Sequence, residues 1–197
     1  DDNDSIQVHW NEQDVGAVRL RRDGTAELDA HGWKEHAQAT FAKTRAVCGP
    51  APDVFNFPFV VVRGTRGSDE ETAALENLAT LFINDWDRYA EGRPPLLRDD
   101  EVTDRLIAEK GLVLFGLPET NRVIARIHAQ LPFKLSRKTI ELPDGHSYSA
   151  EDNGLILTYP NPLAPDRYIL IYNGLHWGEG RSSNHRFDRL PDFTIFE

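Results

Sequence analysis

Apolar and polar residues alternate at Ile6, Val8 and Trp10, and again at Val18 and Leu20 ahead of Arg21-Arg22-Asp23-Gly24. Alternation of period two predicts half-buried strands, and Asp-Gly is a hairpin turn signal. Ala37, Ala39 and Phe41 offer a weaker third alternation. Residues 1–48 thus read as a β-rich ribbon or connector, which must pack on something else because a lone hairpin is marginal in water. Gly49-Pro50-Ala51-Pro52-Asp53 marks a boundary. The run Phe57-Pro58-Phe59-Val60-Val61-Val62 that follows is almost continuously apolar. Such a run predicts a strand buried on both faces, as in a parallel sheet covered by helices.

The period then changes. Ser68 can cap a helix while Glu71 answers from three residues on, forming a capping box. Leu75, Leu78, Phe82, Trp86 and Tyr89 line one face at helical spacing, and Gly92 with Pro94-Pro95 ends the helix. A second helix is expected over about 100–110, with Leu106 and Ile107 inward and Gly111 at its end. Residues 111–127 read as strand, glycine turn and helix, the unit from which doubly wound sheets build ligand crevices. The strand covers 112–115 and the helix about 119–130, with Pro118 near its first turn. A hairpin is expected at Pro143-Asp144-Gly145. Strands follow over 155–159 and 168–172, antiparallel if paired because their loop is too short for a parallel crossover. A last strand is expected at 193–196. The pattern predicts an α/β domain over 49–197, a three-layer sandwich with a mixed, mainly parallel sheet, plus the N-terminal β-rich ribbon.

Composition narrows the function. The chain has 197 residues, 40% hydrophobic and 27% charged, as expected of one ordinary domain with a small appendage. A net charge of −10 argues against nucleic acid and against docking on an anionic membrane. No apolar run approaches the roughly 20 residues that span a bilayer. The chain contains no methionine, so residue 1 is expected not to be a translation start. The single Cys48 cannot form an intrachain disulfide and is expected to be a buried, inert thiol.

Candidate chemistry clusters in three turns. Arg63-Gly64-Thr65-Arg66-Gly67-Ser68 joins a buried strand to a helix N-terminus, where free N–H groups and two arginines can hold an anion. The candidate ligand-binding residues there are Arg63, Gly64, Arg66 and Ser68; the competing reading is an ordinary capped loop. Gly116-Leu117-Pro118-Glu119-Thr120-Asn121 is the equivalent turn after the next strand and contributes Gly116 and Asn121, again against a purely structural role. Asn173-Gly174-Leu175-His176 follows the 168–172 strand, and a histidine there can act as base, ligand or hydrogen-bond donor. Asn173 and His176 with Asn161 and Asn121 would make a polar cluster at one rim. His176 and His185 lack a metal spacing, and Ser182-Ser183 with His185 lack a nucleophile elbow. The chain has no P-loop and no dinucleotide fingerprint. No catalytic residue, metal or cofactor is expected within it.

Several short motifs recur together in a known arrangement. They are Gly49-Pro50 with Asp53 and Phe55, Phe59-Val60-Val61-Val62, and Leu112-Val113-Leu114-Phe115-Gly116 with Pro118 and Asn121. Leu131-Pro132, Tyr159-Pro160-Asn161-Pro162, Arg167-Tyr168, Asn173-Gly174 with His176, and Leu190-Pro191-Asp192 complete the series. The series resembles the region that follows the catalytic domain in secreted bacterial prolyl-oligopeptidase-like or esterase-like α/β-hydrolases. The resemblance covers about 45–197, with 1–44 resembling the β-rich connector. It implies an accessory α/β domain, an upstream α/β-hydrolase partner carrying the nucleophile, and a secreted or periplasmic location. One departure is Leu175, which stands between Gly174 and His176. The competing expectation is an independent module binding a small anion or sugar at the rim. A third is a self-sufficient enzyme pairing His176 with a carboxylate.

Overall fold

The computed structural model describes residues 5–10, 13–19, 47–178, 180–181, 184–188 and 190–197. The chain divides into two compact units, with the boundary after residue 40. In the first, β1 (Ser5–Trp10) and β2 (Gln13–Arg19) form an antiparallel pair with an irregularity between Val8 and His9. The Asp23-Gly24 turn and the third alternation expected from sequence lie outside the described residues.

The second unit is an α/β sandwich. Its elements are β3 (Phe59–Arg63), α1 (Asp69–Ala90), β4 (Leu96–Arg98), α2 (Asp104–Glu109), β5 (Gly111–Phe115) and α3 (Arg122–Ile127). They continue with β6 (Lys134–Leu135), β7 (Thr139–Glu141), β8 (Ser147–Ser149), β9 (Gly154–Asn161), β10 (Ala164–Asn173), α4 (Asn184–Phe187) and β11 (Phe193–Phe196). The main sheet has six strands in the order β4-β3-β5-β10-β9-β11. The run from β4 to β10 is parallel, and β9 is antiparallel to both its neighbours. A separate antiparallel sheet of three strands, β6-β7-β8, contains the turn at Gly145, whose φ of 90° suits glycine.

The apolar runs are continuous because successive residues face opposite layers. Val61, Val113 and Leu170 pack with Phe82 and Ile83 of α1 on one side. Val60, Val62, Leu112 and Leu114 pack with Ile107, Ile124 and Ile127 of α2 and α3 on the other, joined by Leu135 and Ile140 of the small sheet. Ser68 and Glu71 form the expected capping box at α1.

Several boundaries differ from expectation. The left-handed cap of α1 is Glu91 (φ 52°) and not Gly92. The α3 helix begins at Arg122 because the Asn121 side chain accepts from the N–H groups of Val123 and Ile124, which leaves Pro118 in the preceding turn. β4 is too short for its period to register. β9 and β10 run further than their apolar cores, so their connection is Pro162-Leu163. At Gly49-Pro50 the chain is tied to the sheet: Val47 is fully buried in the α1-side core, and the N–H of Gly49 donates to the Tyr168 hydroxyl at 2.9 Å. With Val47 taking the inward side, Cys48 is exposed, contrary to the buried thiol expected. Among the described residues, no helix is long and apolar enough to cross a membrane.

Candidate functional site

The sheet order sets where a ligand crevice belongs. From β3 the chain moves outward to β4. From β5 it proceeds to the opposite side, where β10 lies. The connection sense therefore reverses between β3 and β5, and their carboxyl ends are where open α/β sheets bind ligands. The loops of 64–68 and 116–121 meet at that point.

Here the two loops close on each other. The N–H of Gly64 donates to the Phe115 carbonyl at 3.1 Å, and that of Arg66 to the Thr120 carbonyl at 2.9 Å. A Cβ on Gly64 would lie 2.3 Å from the Thr120 oxygen, so only glycine allows this approach. Gly116 has φ 124° and sits against Thr120 Oγ1. The buried Asn121 accepts from Val123 and Ile124 and donates through Nδ2 to the Phe115 carbonyl at 3.0 Å. A buried carboxylate, Asp99, enters from the end of β4. It accepts from the Arg122 N–H at 2.7 Å, from Thr65 Oγ1 at 2.5 Å and from Arg122 Nη1 at 3.1 Å. The place an anionic ligand would take, beside the first turn of α3, is held by the protein's own carboxylate.

The remaining residues of this candidate set are also engaged or outward. Arg63 pairs with Glu76 at 3.4 Å, Arg66 is exposed, and Ser68 exchanges hydrogen bonds with Glu71. Asn121 and Asn173 lie at the carboxyl edge of the parallel strands. Asn161 does not join them. It ends β9, which runs the other way, and so sits opposite Ala164 at the far edge of the sheet. There it is buried and accepts from the Leu163 N–H at 3.0 Å. A cluster of all three asparagines is therefore not formed.

His176 leads to a different arrangement. The chain turns at Gly174 (φ 82°) and brings His176 over α1, where Nε2 lies 3.2 Å from Asp85 Oδ2. Asp85 is buried, Arg186 of α4 donates to the same oxygen, and Arg88 reaches Oδ1 at 3.0 Å. The Trp177 indole N–H donates to the Arg186 carbonyl at 2.8 Å and so ties the 174–178 turn to α4. These groups border a narrow, partly open cleft with enclosed room of about 20 Å³, on the order of one water molecule. Its walls include Phe82, Phe115, Tyr172, Leu175 and Phe187. Phe115 and Tyr172 stack with centroids 5.2 Å apart. Burial, reinforced by the nearby charge of Asp85, pushes the Tyr172 hydroxyl well above its ordinary pKa.

Sequence reading reached His176 but missed Asp85, Tyr172 and Arg186. Asp85 had a signal: it is three residues after Phe82 and seven after Leu78, so an acid stands within the apolar stripe of a helix. Tyr172 closes an apolar strand and looks like core. Arg186 lies in a segment without period. Among the described residues, no group of three or more His, Cys, Asp or Glu is placed to hold a metal ion.

Comparison with protein-family models, with curated proteins and with solved structures gives no match for this chain.

Proposed function

We propose that residues 49–197 are the non-catalytic C-terminal accessory domain of an exported serine hydrolase, an esterase or peptidase of the prolyl-oligopeptidase-like type. The domain shapes the substrate cleft of an upstream α/β-hydrolase partner, or mediates assembly with it, in a secreted or periplasmic setting. What supports the reading is the work done by the residues that carry the resemblance. Tyr168 accepts from the Gly49 N–H and donates to Asp53, joining the start of the unit to β10. Asn121 caps α3 and holds the end of β5, and Phe59-Val60-Val61-Val62 with Leu112-Val113-Leu114-Phe115 form the central parallel pair. A residue set spent on holding shape fits a scaffold whose chemistry is done elsewhere. At the 64–68 and 116–121 rim, Arg66 takes the Thr120 carbonyl and Asp99 takes the Thr65 hydroxyl and the Arg122 N–H, which favours this reading over an anion or sugar module there.

Fluorophosphonate labelling of this chain and of the complete gene product, read by intact mass, tests it. Labelling confined to the longer product is expected and places the nucleophile upstream. Labelling of this chain means that a serine within it is activated, and the accessory reading fails. Labelling of neither removes the serine-hydrolase partner.

A further inference from the structure

His128 ends α3 and holds the small sheet through its ring. Its N–H donates to the Ile124 carbonyl, so the helix fixes its backbone, and the short turn His128–Gln130 follows. The ring is half-buried, and Nε2 accepts the backbone N–H of Leu135 at 3.1 Å. The pairing of β6 with β7 shows why that N–H needs an outside partner. The Ser136 N–H donates to the Thr139 carbonyl at 3.0 Å, and Leu135 stands opposite Ile140. Bonded and non-bonded pairs alternate in an antiparallel ladder, so the Leu135 N–H points away from β7. His128 supplies the acceptor that a further strand would give. Leu135 is 3% exposed and joins Phe133 in the core on the α2–α3 side. The ring therefore fastens the edge of the small sheet where that sheet enters the core.

A backbone N–H can only donate, so this bond needs an Nε2 without a proton. Protonating the ring sets two donors against each other and leaves the Leu135 N–H without its acceptor. With the ring released into water there is no such conflict, and an imidazole there titrates at about 6.5. The open form thus binds one proton more than the closed form, and acid favours opening.

The neighbouring charges do not offset this. The elements packed on the 128–130 turn are α3 and β6. On α3, Arg122 is taken by Asp99 and Arg126 by Asp104; on β6, Lys134 lies 3.7 Å from Glu141. Among the described residues, the histidines with a carboxylate at ion-pair distance are His146, His176 and His185, so a protonated His128 has no counter-ion. Elsewhere on the small sheet, Arg137 is held by Glu71, with Glu119 nearby, and Lys138 is exposed. His146 changes charge in the same range with the opposite effect, because its proton strengthens the contact with Asp144 in the β7–β8 turn. Glu71, at about 2, and Asp144, held below the usual carboxylate range by the His146 N–H and ring, both stay ionised at pH 5.

We propose that His128 is an acid-sensitive latch on the small sheet, closed while its neutral ring holds the Leu135 N–H and released when the ring takes a proton. Opening lifts β6 and bares Phe133 and Leu135, while Arg137 stays anchored to Glu71 at the β6–β7 turn. The latch stands whether or not the domain serves a hydrolase.

Amide exchange of the full chain at pH 7, 6 and 5 tests it, read as the protection factor of Leu135, which removes the intrinsic pH dependence of exchange. Protection is expected to fall about five- to twentyfold from pH 7 to 5 and to stay below that of Val113 in β5, because the opening is local. His128→Gln places an amide oxygen within the reach of Nε2 and does not titrate. It is expected to hold protection within about threefold of the parent at pH 7 and to lose less than about twofold by pH 5. His146→Asn is expected to keep the parent's fall. Histidine ¹⁵N spectra of the parent are expected to show an unprotonated His128 Nε2 at pH 7 that gains its proton along the same curve as the loss of Leu135 protection. If His128→Gln loses protection already at pH 7, these curves decide: coincidence supports the latch and separate curves overturn it. It is also overturned by protection that is flat from pH 7 to 5, by an equal fall in His128→Gln, by loss of the fall in His146→Asn, by Leu135 protection equal to that of Val113, or by a protonated Nε2 at pH 7.

Discussion

Glu71 holds two structural roles with one carboxylate. It accepts from the Ser68 N–H at 2.7 Å, which completes the capping box of α1, and takes Arg137 Nε at 2.7 Å from the segment before β7. The Arg137 hydrogen bond, followed by that from Ser68, lowers its pKa from 4.5 to about 2. A depressed carboxylate stabilises the fold above its unfolded pKa and loses that contribution as pH falls through the folded value. Replacing it by Gln is therefore expected to lower the urea midpoint by a constant amount at neutral pH. That deficit should shrink as pH falls from 4.5 and close near 2. Urea titrations of both proteins across this range check it, and a deficit undiminished in acid would place the effect in packing. Legibility at this scale depends on locality. The Ser68–Glu71 box joins residues three apart and could be read directly, as could the position of His176 after a strand. Asp85 and Arg186 are 101 residues apart, and only the fold makes their contact. Asp99 stands in the acidic run Asp99-Asp100-Glu101, which in sequence looks solvated, yet it is 3% exposed and fills the crevice.

At the scale of elements, the junction of β3 and β5 rests on the closeness of two loops. Gly64 does not need a left-handed backbone; it is needed because its neighbour is the Thr120 carbonyl, itself fixed by the Arg66 N–H. A methyl group there must push a backbone oxygen and not a flexible side chain. Gly64→Ala is expected to cost about 1–3 kcal/mol, as overpacking of a rigid contact does. Gly92→Ala is the control, since the nearest atom to a Cβ there is the Ala90 oxygen at 3.9 Å. It should stay within about 0.5 kcal/mol of the parent. Equal losses in both variants, measured by urea unfolding, would mean that the loop contact is not rigid. The elements themselves were legible wherever the period was sustained: β3, α1, β5, the β9-β10 pair and β11. β4 was not, because three residues after Pro94-Pro95 carry no period and gain their place from pairing with β3. The far-edge position of Asn161 was also hidden, since strand direction is a property of the sheet and not of the Tyr159-Pro160-Asn161-Pro162 motif.

For the whole molecule, the question is where stability resides. Both apolar clusters, one on each face of the main sheet, are built among the described residues from Val47 onward. The β1-β2 pair is a hairpin in a separate unit, and two strands alone are marginal in water. Val47 and the Gly49–Tyr168 bond tie the start of the larger unit to its own sheet, so a chain beginning at residue 41 keeps every one of these contacts. Such a chain is expected to unfold in one cooperative transition with the urea midpoint and slope of that transition preserved, because the slope follows the surface exposed by the sandwich. A chain beginning at residue 54 removes Val47, Gly49 and Asp53 together. It should be destabilised by at least about 2 kcal/mol, through the lost burial of Val47 and the unpaired Tyr168 hydroxyl. If instead the chain from 41 loses cooperativity while the chain from 54 loses nothing further, the hairpin would be an integral layer of the sandwich. The tie through Tyr168 would then be incidental to the fold.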